Sequence, residues 1–196
     1  MMDPDLNLIE RDRSCLLVID VQQHFLDKLP LGWRGPLVGR IAWLMRAAGA
    51  LGIPVVATAE DVERLGPLVP ALARCLPAGA PPVFDKRVFG LWGQADIRAA
   101  LEALGRDCFV LAGLETDVCV AQSALGLRAA GYRVAVAADA CGSPPPNHEH
   151  GLRRLAGTGT VITTVKGVFY EWTRDVETAS RVRAELGAPD PPGLTL

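Results

Sequence analysis

Lysine is nearly absent from this chain of 196 residues: Lys28, Lys86 and Lys166 are the whole complement among 20 basic side chains. With arginine used everywhere else, Lys86 does not read as ordinary surface charge. Histidine is as scarce, limited to His24, His148 and His150. The five cysteines, Cys15, Cys75, Cys108, Cys119 and Cys141, are an odd number without CxxC spacing. That argues against a disulfide framework and against a zinc knuckle. No apolar run approaches the ~20 residues that span a bilayer. There is no block of like charge, and a formal net charge of -2 gives no electrostatic reason to expect nucleic acid or a membrane surface as partner. Residues 1–13 are polar and acidic rather than charged and then apolar, so no secretory leader is expected and the cytoplasm is the expected setting.

What is present is apolar and regularly punctuated. About half of the chain is hydrophobic, enough for one sizeable core, and no linker or repeat divides it. One domain over residues 1–196 is expected, with a core from about Ser14 to Leu186. Short β-type runs at Ser14–Asp20, Ile53–Thr58, Pro82–Phe84, Asp107–Ala112, Tyr132–Ala138 and Thr160–Thr164 alternate with helical patterns. The helices are expected at Pro36–Leu51, Gln94–Leu104, Asp117–Ala130, Asn147–Ala156 and Glu171–Leu186, several of them stopped by a glycine. Strands separated by helices imply a parallel sheet covered on both faces, a doubly wound, Rossmann-like α/β fold. A strand order of 3-2-1-4-5-6 is expected. The Pro-rich stretch Pro189–Pro192 reads as a surface strap or a loose tail.

Open parallel sheets bind ligands at the carboxyl ends of their strands, where the order reverses. The first strand ends in Asp20, the third runs into Lys86, and the fourth leads through Gly113 to Cys119 at a helix start. A helix N-terminus and an ammonium favour a thiolate, and a carboxylate can take the thiol proton and later return it to a leaving amine. Each residue also has an ordinary reading: a capping Asp, a solvated Lys, a core Cys. Their convergence on one crevice is what makes them candidates.

The motifs around them resemble the isochorismatase-like cysteine hydrolases. Asp20-Val21-Gln22-Gln23-His24-Phe25 is similar to that family's D-x-Q-x-x-F signature. Lys86-Arg87-Val88-Phe89-Gly90-Leu91-Trp92 is similar to K-x-x-F-S-x-F, with Gly and Trp replacing Ser and the second Phe. Gly113 to Val120 (GLETDVCV) resembles the nucleophile loop G-x-x-T-x-x-C-V, and Gly131 to Ala140 matches the next strand. The resemblance implies a catalytic triad of Asp20, Lys86 and Cys119 and a thioester intermediate in cleavage of an amide-like C–N bond. It also implies a cis peptide between Leu114 and Glu115, an oxyanion site from the N–H groups of Glu115 and Cys119, and a homo-oligomer. Gln22, Phe25, Phe89 and Trp92 become candidate substrate-binding residues, with core packing as the other reading of the aromatics.

Two features narrow the activity. Metal-dependent nicotinamidases of the family place histidines after strand two, but here the stretch is Thr58-Ala59-Glu60-Asp61-Val62-Glu63-Arg64-Leu65. His148 and His150 diverge on a helix, so no metal and no cofactor are expected. True isochorismatases lack the cysteine, so Cys119 favours acyl chemistry on a small-molecule substrate. The Glu115 side chain either lends only its backbone or selects against anions. Tyr170 and Trp172 are open between a pocket wall, a subunit contact and packing on the sheet. A non-catalytic binding protein of the same fold, and a redox role for a low-pKa thiol, are the alternatives.

Overall fold

The computed structural model describes residues 8–187 and Leu194, so the Pro-rich stretch Pro189–Pro192 lies outside the described residues. Six parallel strands form one sheet: β1 (Ser14–Ile19), β2 (Val55–Glu60), β3 (Phe84–Lys86), β4 (Cys108–Leu114), β5 (Arg133–Gly142) and β6 (Val161–Thr163). Their spatial order is β3-β2-β1-β4-β5-β6, the order expected. The helices are α1 (Gln23–Leu26), α2 (Leu31–Ala50), α3 (Val62–Leu65), α4 (Pro70–Ala73), α5 (Ala95–Ala103), α6 (Ala121–Ala129), α7 (Asn147–Ala156), α8 (Val165–Thr173) and α9 (Val176–Leu186). None is long and apolar enough to cross a membrane, among the described residues.

The strands sort their side chains by the two-residue period of extended chain. Leu16 and Val18 of β1 with Val110 and Ala112 of β4 pack under α2, α8 and α9, around Trp43, Phe169 and Trp172. Cys15, Leu17 and Ile19 with Phe109 and Leu111 pack on the other face under α5, α6 and α7, against Leu101, Leu127 and Leu155. Both faces are therefore buried, which is why β1 and β4 read as near-continuous apolar runs.

Several boundaries differ from the sequence reading. β2 runs on to Glu60 because Gln22 holds that residue at both backbone groups: Glu60 N–H donates to Gln22 Oε1 at 2.7 Å, and Gln22 Nε2 donates to Glu60 O at 2.8 Å. α2 begins at Leu31, with Pro36 tolerated inside its second turn. The expected final helix is two. Arg174 turns into a positive φ of 66°, and Asp175 then caps α9 by accepting the Thr178 N–H at 2.7 Å. Tyr170-Glu171-Trp172 therefore closes α8 rather than opening a helix. Trp172 is buried and donates from Nε1 to Ser14 Oγ at 3.1 Å, so it packs the helix on the sheet, whereas Tyr170 is partly exposed.

Candidate active site

β1 lies between β2 and β4, so the strand order reverses beside it, and the charged residues gather there. Asp20 follows β1 in the left-handed region at φ 51°, a conformation that Asp adopts more readily than most residues. Its backbone is held between Thr58 O, which accepts its N–H at 3.1 Å, and Gln22 N–H, which donates to Asp20 O at 2.9 Å. The side chain is wholly buried, with Thr58 Oγ1 donating to Oδ1 at 2.7 Å. Oδ2 lies 2.9 Å from Lys86 Nζ but receives no well-directed hydrogen bond, which leaves a lone pair open to a proton.

Lys86 ends β3 and is likewise wholly buried. Its ammonium donates to Val88 O at 2.6 Å, lies 3.2 Å from Glu60 Oε2, and is 3.8 Å from Cys119 Sγ. Burial opposes the charge, but Asp20, Cys119 and Glu60 outweigh it and hold the lysine above its ordinary value. Burial pushes Asp20 the other way, above the usual carboxylate range, with Lys86, Thr58 and Cys119 only partly offsetting it.

Cys119 reaches this cluster from the fourth strand. Gly113 makes that approach possible at φ 132°, since a Cβ there would meet Ile19 O at 2.0 Å. No other residue fits so close to β1. The Leu114–Glu115 peptide is cis, and Thr116–Val120 then forms one turn of π-helix that continues into α6. The loop is pinned from β5 and α7. Ser143 Oγ donates to Asp117 Oδ1 at 2.6 Å, and Thr116 Oγ1 is 2.9 Å from His148 Nδ1. Gly151 lets α7 approach, because a Cβ there would lie 2.9 Å from Asp117 Cα.

Asp20, Lys86 and Cys119 are thus brought together, and a fourth group joins them. Glu60 Oε2 accepts from Cys119 Sγ at 3.2 Å. What the end of the second strand contributes to the cluster is thus a carboxylate and no histidine. Glu60 ends its strand as Asp20 and Lys86 end or follow theirs, and it pairs in register with Lys86, so the strand-end rule that selected those two selects it as well.

The surroundings of the thiol act on it in both directions. Burial pushes the Cys119 thiol well up, Asp20 adds to the rise, Lys86 opposes it, and Glu60 contributes further. The net direction favours S–H over thiolate, so a base close by has to take the proton. The same geometry bears on metals. Oxygen and sulfur atoms of Asp20, Glu60 and Cys119 lie within 4.8 Å of one another, a spacing a cation can use. The Lys86 ammonium already lies 2.9, 3.2 and 3.8 Å from them, so an ion at that point would have to displace it.

The other candidates divide. Gln22 is not free to bind substrate: it is wholly buried, and its amide is committed to the backbone of Glu60 and to Gly66 O at 2.6 Å. Trp92 packs edge-on against Tyr132, which precedes β5 at the amino end of the sheet, away from the cluster. Phe89 is 54% exposed on the loop that Val88 anchors to Lys86, so it is no buried wall. Phe25 is buried, with Lys28 Nζ 4.5 Å above its ring. Lys28 also pairs with the Glu115 carboxylate at 3.4 Å, so that carboxylate is matched at the rim. All five cysteines are free.

The family model of the isochorismatase domain matches residues 14–166, from the first strand through the whole site. The chain belongs to the isochorismatase family. It is 34% identical over 166 residues to isochorismatase domain-containing protein 1 of Danio rerio, covering 84% of this chain and 56% of that protein. The chain therefore spans little more than half of that relative. The secreted isochorismatase effector Isc1 of Phytophthora sojae is 33% identical over 169 residues, covering 83% of this chain and 78% of its own. Among solved structures, the YcaC gene product of Escherichia coli, described as an octameric hydrolase of unknown specificity, superposes with a TM-score of 0.84. It is 25% identical, with 94% of this chain and 91% of that one covered. Membership thus covers both the Rossmann-like sheet and the cluster at its carboxyl end.

Proposed function

We propose that the protein is a metal-independent cysteine hydrolase that cleaves a C–N bond of a small amide or ureide through a thioester on Cys119. The observation that carries this reading is the Lys86 ammonium, 2.9 Å from Asp20 Oδ2 and 3.8 Å from Cys119 Sγ. Asp20 takes the thiol proton, a task suited to a carboxyl whose burial has raised its proton affinity. Sulfur attacks the carbonyl carbon as the Lys86 charge steadies the developing thiolate. The N–H groups of Glu115 and Cys119 hold the oxyanion, each contributing about 3 kcal/mol if they act as such donors do elsewhere. The tetrahedral adduct collapses with loss of the C–N bond, and the departing nitrogen leaves as ammonia or amine with the proton returned from Asp20. Water, giving a proton to Asp20, then attacks the thioester; the C–S bond breaks, a carboxylic acid forms, and the thiol is restored.

Free cysteines throughout suit a reducing, cytoplasmic setting. Self-association is part of the same reading, supported by exposed Leu31, Trp33 and Phe89 and by the octameric solved relative. The test is mass spectrometry of the protein incubated with a mixture of small amides and ureides. An acyl adduct on Cys119 and abolished turnover in Cys119→Ser are expected. Melting shifts with ligand but no turnover by the wild type across the panel would mark a binding protein instead.

A further inference from the structure

We propose that Glu60 selects the substrate by charge: the site takes acyl compounds with an N–H donor or a cationic amine beside the attacked carbon, and rejects those with a carboxylate there. This deepens the hydrolase reading and rests on it. Three observations carry it. First, Glu60 Oε2 touches both reacting partners, 3.2 Å from Cys119 Sγ and 3.2 Å from Lys86 Nζ. Second, its side chain keeps 14% exposure where those of Asp20 and Lys86 have none, so it is the charged member of the cluster that an entering molecule meets. Third, its backbone is clamped by Gln22 on both sides, so the carboxylate cannot retreat with the loop that follows.

The neighbouring acids are matched. Asp20 has Lys86 and Thr58, Glu115 has Lys28, and Asp61 has Arg87 and Arg64. Glu60 and Asp20 share the one Lys86 ammonium, so the cluster carries an excess negative charge, and Glu60 is the member that presents it to the opening. When Cys119 gives up its proton and turns to the substrate, Glu60 Oε2 loses the S–H donor. A partly buried carboxylate left short of a donor is costly, and a substrate N–H restores the bond where a substrate carboxylate adds repulsion.

The experiment uses thiol reagents with the same two-carbon arm and three charges: 2-aminoethyl, 2-hydroxyethyl and 2-sulfonatoethyl methanethiosulfonate. Labelling of Cys119 is followed by peptide mass spectrometry at pH 7, so that half-buried Cys75 is counted separately. The wild type is expected to react about tenfold faster with the cationic than with the anionic reagent, the neutral one lying between. Glu60→Gln is expected to bring that ratio close to one, and Glu60→Asp, which keeps the charge, to retain most of it. Neutral-reagent labelling of the variants shows that the site is intact. An unchanged ratio in Glu60→Gln, or a wild-type preference for the anion, overturns the role of Glu60 and leaves the hydrolase reading standing. A Cys119 that no reagent reaches overturns both.

Discussion

The loop that carries Cys119 has two unlike neighbours. Toward β1, β2 and β3 it meets charge: Asp20 and Glu60 lie 2.9 and 3.2 Å from the Lys86 ammonium, and Glu60 accepts from Sγ. Toward β5 and α7 it meets a scaffold of ordinary hydrogen bonds, Asp117 with Ser143 and Thr116 with His148, closed by the glycine contact of α7. The first neighbour supplies proton affinity and field at a cost in desolvation; the second supplies position. If that division is right, substitutions on the charged side strike turnover hardest, and those on the scaffold side strike stability while leaving most of the chemistry.

Lys86→Met is the harshest test of the charged side. It leaves the Asp20 carboxylate wholly buried with Thr58 as its remaining donor, and breaking a buried pair in this way costs about 3–5 kcal/mol. The expectation is a large fall in the denaturant midpoint and a loss of turnover of at least about a hundredfold. Because the carboxyl escapes the penalty by taking a proton, the stability loss should shrink at acid pH. A variant that keeps full turnover would sink the assignment of Lys86.

Ser143→Ala tests the scaffold. It removes the 2.6 Å bond to Asp117, and a lost bond to a charged acceptor is worth about 1–3 kcal/mol. Unfolding should shift by that amount while kcat falls less than about tenfold, since no reacting atom is touched. A collapse of kcat at unchanged stability would put Ser143 with the chemistry and erase the contrast between the two sides.

The same contrast explains what was legible in the sequence. The charged side was written at the carboxyl ends of the strands: Asp20 follows β1, Lys86 ends β3, and Cys119 lies in the turn that follows β4. Glu60 stands there too, but by residue type alone it does not differ from an ordinary acid at a strand end. The sheet order was legible for a different reason: β1 and β4, apolar on both faces, have to be central. The pocket walls were not. A motif fixes the spacing of Phe89 and Trp92 along the chain but not the turn between them, and the 3-10 turn at Leu91–Gly93 sends Trp92 to the amino end of the sheet. The break after α8 was hidden as well, since it falls on Arg174, a residue type that gives no warning of positive φ. Only the capping pair Asp175 and Thr178 marks it.

The smallest expected effect isolates a single proton on the scaffold side. His148 is half-buried against Thr116, and burial lowers its proton affinity, with Glu149 and Asp117 opposing. An unfolded chain takes up that proton near pH 6.5 while the folded chain still refuses it. The neutral ring's contribution is therefore complete above that pH and is lost as the pH falls through it toward the lower folded value. His148→Gln keeps a polar group near Thr116 but cannot titrate. Its Tm should decline less than that of the wild type between pH 7 and pH 5. Parallel declines by calorimetry would mean that His148 protonates as easily folded as unfolded. The scaffold at Thr116 would then be open to water, and position would have to come from the Ser143–Asp117 bond and the close packing of Gly151 on Asp117.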